Sequence, residues 1–219
     1  MKNFLFSLKK EYIKVNDTSF GGSQLYYANE TSKREIKKKL GGCGIVAITD
    51  TLSYLQSETA YKSVNDYKKA FDYTVKKSKW IPTKMGMNYL HLTLSMFFRL
   101  KKLPEKHRCY WCFSRKKMLG RIKKMLSKDI PVIISVPRTF KHKGKIDKLN
   151  LYNNDFKVQT TTCGHFVVIT GLLSFNNSVY YEVSSWGRKY YVNHDEFISF
   201  QKKHIIGLLG NMLYINKKE

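Results

Sequence analysis

Two short stretches carry residue types that can transfer an acyl group: Leu40-Gly41-Gly42-Cys43-Gly44-Ile45-Val46 and Cys163-Gly164-His165-Phe166-Val167-Val168. Acyl transfer to sulfur needs a thiol nucleophile and an imidazole that takes its proton and returns it to the leaving group. It also needs a polar group to orient that imidazole and donors for the developing oxyanion. Cys43 sits where a glycine-rich turn meets an apolar run, so its sulfur is expected at a helix N-terminus. Unpaired backbone N–H groups and the helix dipole there favour a thiolate and lower the cysteine pKa. The plainer reading keeps Cys43 as a small core residue and His165 as a satisfied strand histidine.

The elements that must position these groups are legible in the apolar spacing. Ile45, Ala47, Ile48, Leu52 and Leu55 recur at three- and four-residue intervals, which predicts a helix from Gly44 to about Tyr54 with one broad buried face. His165 opens a β-branched run, and further strands are expected at 179–183 and 189–192, separated by Trp186-Gly187. Asp129-Ile130-Pro131-Val132-Ile133-Ile134-Ser135-Val136-Pro137 predicts another buried strand. Further helices are expected after Ser63, from Met87 to Leu100, from Ser114 to Ser127 and after Asn193, with a last strand at 211–215. Residues 1–20 read as an edge strand or extended lead-in. The polar stretch 138–162 reads as a long loop overhanging a cleft.

The order Cys43, then His165, then Ser184-Ser185-Trp186-Gly187 resembles the papain-like cysteine peptidases. These carry Cys at the head of a central helix, His opening a strand and Asn-Ser-Trp-Gly after it. Within them, Cys43-Gly44 and Gly164-His165-Phe166-Val167-Val168 are most similar to a bacterial branch that includes bacteriocin-leader-processing peptidases. The resemblance covers these three motifs and their order. It implies an α+β papain-like domain spanning 1–219, with a helical half at about 20–128 packed on an antiparallel β half at about 129–219.

The resemblance also implies a peptidase or related cysteine hydrolase, with Cys43 as nucleophile and His165 as acid/base. Ser184 stands where the family has Asn or Asp as orienting group, and a hydroxyl reaches less far and carries no charge. Trp186 would shield the imidazole hydrogen bond. The family's oxyanion glutamine lies a few residues before the cysteine, a place held here by Lys37. The nearby upstream glutamine is Gln24, nineteen residues before Cys43, with Asn29 in reserve. Gln24 is either that donor, brought back by an insertion at 26–39, or an ordinary turn residue. No cofactor or metal is implied.

Composition narrows the alternatives. The chain has 219 residues and is 42% hydrophobic, enough for a core and too apolar for a disordered polypeptide. Lys and Arg number 40 against 16 Asp and Glu, a net charge of +24. That field attracts polyanions if the cations form a functional surface, and otherwise marks solvated helix faces. Four cysteines, including Cys109-Tyr110-Trp111-Cys112, fall short of a zinc-site pattern, leaving packing, a redox pair or half a metal site. No apolar run reaches membrane-span length and the N-terminal apolar stretch is short for a signal, so a cytoplasmic protein without stable membrane insertion is expected. A peptide or protein substrate is the expected partner. A catalytically silent scaffold binding a peptide or polyanion, and an acyltransferase or amidase using the same pair, are the alternatives.

Overall fold

The computed structural model describes residues 2–139, 146–204 and 211–217. The chain is a mixed α+β protein with six α-helices and a large antiparallel sheet among the described residues. The nine-stranded sheet is built from β1 (Asn3–Ser7), β4 (His107–Cys112), β5 (Val132–Val136), β6 (Leu149–Tyr152), β7 (Val158–Thr162), β8 (His165–Phe175), β9 (Ser178–Ser185), β10 (Arg188–Asn193) and β11 (Met212–Lys217). Their order is β4-β11-β5-β8-β9-β10-β6-β7, with β1 also on β8. A separate parallel pair joins β2 (Lys14–Val15) to β3 (Ala60–Tyr61).

β8 is the spine of the sheet, because one of its edges is shared end to end by two strands. His165 to Ile169 pairs with β5, and Gly171 to Ser174 pairs with β1. Its first nine residues are buried, as its continuous apolar run requires. The other edge carries β9 through a two-residue hairpin at Asn176-Asn177, and β9 returns as β10 through Trp186-Gly187. All four turn residues have positive φ, the backbone that matches the twist of paired strands.

On this sheet lies α2 (Cys43–Leu55), packed against β8 and β5. It is buried on nearly every side, so its apolar character extends round the helix instead of along one stripe. Against it pack α3 (Val64–Lys77) and α4 (Tyr89–Leu100); α1 (Lys33–Gly41) packs on the 3₁₀ turn at Gln24–Tyr27, while α5 (Met118–Ser127) and α6 (His194–Lys203) flank the sheet. The predicted starts hold where a side chain caps them. Ser63 accepts from the Asp66 N–H at α3, and Asn193 accepts from Asp195 and Glu196 at α6.

Two expectations are corrected. The stretch 138–162 is not a loop throughout: it contains the β6–β7 hairpin, whose Leu149 and Leu151 are buried, with 140–145 outside the described residues. Nor is 20–128 purely helical, since β4 lies within it and pairs with β11 from the far end of the chain. The strands in both regions are only four to six residues long, too short for a period of two to stand out. No helix among the described residues is long and apolar enough to cross a membrane.

Candidate active site

Cys43 begins α2 and is 8% exposed. Gly42 caps the helix without a side-chain bond and also closes α1, so two helices meet at the sulfur. His165 begins β8 and is 7% exposed. The two line one cavity of about 10 Å³ together with Gln24, Asp50, Ser185 and Trp186, room for about one water molecule. The peptide N–H of Phe166, next to His165, faces the sulfur, as do those of Gly44 and Cys43 itself. Among the described residues no hydrogen bond joins the sulfur to the ring.

The imidazole is fixed from two sides. Its Nε2 is 2.8 Å from Ser185 Oγ, and the Trp186 ring stacks on it at 4.6 Å between centroids and 21° between planes. Nδ1 makes no hydrogen bond among the described residues. Trp186 holds a φ of 52°, an uncommon conformation for a bulky residue, so the hairpin turn stores strain while presenting the indole to the ring.

Ser184, expected to orient the imidazole, does not: its hydroxyl donates to the Phe20 carbonyl at 2.9 Å. Successive side chains on a strand point to opposite faces, and β8 and β9 slip register between Ile169 and Gly171. That geometry gives the ring to Ser185.

Gln24 begins a 3₁₀ turn (Gln24–Tyr27) capped by Ser23, whose hydroxyl accepts from the Leu25 N–H at 3.1 Å. The nineteen-residue gap to Cys43 is filled by that turn and α1, which fold back so closely that a Cβ on Gly42 would lie 3.3 Å from Gln24 Cβ. Gln24 is 7% exposed and its amide makes no hydrogen bond among the described residues, leaving its N–H donors free for the cavity. Asn29 belongs neither to this turn nor to the cavity lining.

Sequence reasoning missed Asp50, seven residues after Cys43 on α2 and fully buried. It accepts from the Gly22 N–H at 2.9 Å, from Tyr67 at 2.7 Å and from Tyr12 at 3.5 Å. Gly21, at φ +82°, must be glycine here, since a Cβ would meet Ser184 Oγ at 1.9 Å and Asp50 Oδ2 at 2.9 Å. Asp50 therefore pins the strand-to-turn segment that carries Gln24. The signal in the sequence was the lone charged residue of an otherwise uncharged helix, and such a group is buried only when its oxygens are satisfied.

Burial governs the proton affinities. It lifts the Cys43 thiol above its ordinary value, and the three facing N–H groups and nearby Arg138 offset this only in part. The expected thiolate is corrected accordingly: desolvation outweighs the helix terminus. Burial also lowers His165 to about 4, so the resting pair is a neutral thiol beside a neutral imidazole. Burial raises Asp50 to about 6 despite its three donors.

Cys109 and Cys112 are buried on β4, and Cys163 is half-buried before β8; none forms a disulfide. No group of three or more His, Cys, Asp or Glu among the described residues is placed to hold a metal ion. His91 Nε2 instead meets the Ser78 carbonyl at 2.7 Å. A scan of protein-family models and a search of curated proteins find no match to this chain.

Proposed function

We propose that this chain is a papain-like cysteine hydrolase acting on a peptide bond. The observation that carries the reading is the convergence of Cys43, a His165 ring held on Nε2 alone, and the free Gln24 amide on one cavity. Cys43 Sγ attacks the substrate carbonyl as its proton passes to His165 Nδ1, with Nε2–H donating to Ser185 Oγ. The Gln24 amide and the Cys43 peptide N–H hold the oxyanion. Collapse breaks the C–N bond, and the imidazolium gives its proton to the departing amine, leaving a thioester on Cys43. A water deprotonated by His165 then attacks that thioester, and the thiol leaves with the proton from the ring.

Because both groups rest neutral, the thiol is activated by proton transfer during attack and not by a standing ion pair. Alkylation of Cys43 by iodoacetamide is therefore expected to climb with pH beyond 9 without a plateau near neutrality, the thiol lying above its ordinary value. Peptide mapping after labelling, with Cys43→Ala as reference, tests the assignment. Label on Cys43 together with cleavage of a peptide library that Cys43→Ala abolishes, a loss on the order of 10⁶-fold in kcat for a missing nucleophile, is the expected result. Label distributed over Cys109, Cys112 and Cys163 alone would sink it.

A second reading is a scaffold that binds a peptide without turnover. The small cavity and the neutral thiol favour it. Peptide retention without cleavage, unchanged in Cys43→Ala, selects it.

A further inference from the structure

α4 is apolar on two opposite faces. Leu92, Met96 and Leu100 are buried in the core, yet Leu90, Leu94 and Phe98 are 58%, 48% and 60% exposed. The exposed three recur every four residues and form a stripe about 12 Å long. A helix apolar all round is ordinarily covered all round, and a continuous exposed stripe marks a binding surface.

The stripe runs into a cavity of about 160 Å³ between the end of α2, α3 and α4, where Phe98 and Tyr73 stand beside Lys77, Arg99 and Lys102. No carboxylate lines this cavity, and none of the three cations has an ion pair among the described residues. Arg99 lies over the Tyr73 ring at 5.3 Å, and its Nη1 is buried without a hydrogen-bond partner. A carboxylate-free hollow lined by three cations without ion pairs is a seat for a phosphate or another anion.

We propose that this face docks the protein on an anionic phospholipid surface, with Leu90, Leu94 and Phe98 entering the headgroup–acyl boundary and the hollow receiving a lipid phosphate. Charge selects this occupant over a second copy, because symmetric contact would press unpaired cations of two +24 chains together. Shape selects it over a peptide, since a convex helix face offers neither groove nor strand edge, whereas a membrane interface accepts one. Surface docking needs no spanning helix.

The test is sedimentation of the full chain with phosphatidylcholine vesicles, with or without phosphatidylserine. Retention is expected only with phosphatidylserine. Leu94→Glu with Phe98→Glu should lower it at least tenfold, both sites being exposed and the circular dichroism unchanged. Lys116→Glu with Lys117→Glu, at the start of α5, removes twice as much charge and should lower retention less. In Phe98→Trp, emission should shift to the blue on binding, beyond any shift of the wild type's three tryptophans. Equal losses in the two double variants, an unshifted Phe98→Trp spectrum, or a dimer that Leu94→Glu dissociates would each overturn the proposal.

Discussion

Two polar groups on the same helix, seven residues apart and both facing the cavity, are treated in opposite ways. Asp50 has its oxygens occupied by the Gly22 peptide and two tyrosine hydroxyls. Cys43 and its neighbours leave hydrogen-bonding capacity unused: Nδ1 of His165 and the Gln24 amide have no partner among the described residues. A buried polar group that is fully satisfied resists movement and holds its donors in place, while one left open stands ready for a ligand atom. Asp50 thus fixes the scaffold on which the open groups of the proposed site are mounted.

The contrast breaks most sharply at Asp50 itself. Asp50→Ala strands three donors in the interior and is expected to lower stability by about 3 kcal/mol at neutral pH, read from urea midpoints. Cys43→Ala, which removes only a weak sulfur acceptor from the facing peptide N–H groups, should stay within about 1 kcal/mol of wild type. If the two variants are equally stable, the division between a structural and an open cluster fails.

The same pair of clusters should oppose each other in pH dependence. Asp50 titrates at about 6 folded against 3.8 ordinarily, so the folded chain keeps a proton the unfolded chain has released. Its contribution is full below 3.8 and is lost as pH rises to about 6. His165 titrates at about 4 folded against 6.5, so its contribution is absent at low pH and grows as pH rises from 4 to 6.5. Each amounts to about 3 kcal/mol across its window, with opposite sign. Relative to wild type, Asp50→Asn should therefore become more strongly stabilised by raising the pH from 4 to 6, and His165→Gln more strongly destabilised. Parallel curves for all three chains would refute the assignment.

The smallest effects should separate the adjacent serines. Ser185→Ala frees Nε2 and should slow Cys43 labelling about tenfold, as loss of one imidazole hydrogen bond worth about 1.4 kcal/mol would. Ser184→Ala leaves the Phe20 carbonyl without its donor, which should cost about 1 kcal/mol of stability and leave labelling unchanged.

Much of the frame was open to reading along the chain. The helix after Cys43, the strands at Val132 and His165 and the caps at Ser63 and Asn193 follow from patterns spanning a few residues. The β6–β7 hairpin escaped because β7 is polar after its exposed Val158, and β4 because its partner is a hundred residues away. Within the site, the choice of Ser185 over Ser184 depended on a register slip that no local pattern records. The approach of Gln24 required α1 to fold back.

The sequence by itself determined the periodic elements, the ends at which Cys43 and His165 sit, and the large positive charge. Only the tertiary structure decided which hydroxyl meets the imidazole, that Asp50 anchors the Gln24 turn, and that the thiol and the ring rest neutral. Helix and strand periods arise from neighbours within about four residues. Register, desolvation and proton affinity are set by atoms that distant segments bring within a few ångströms.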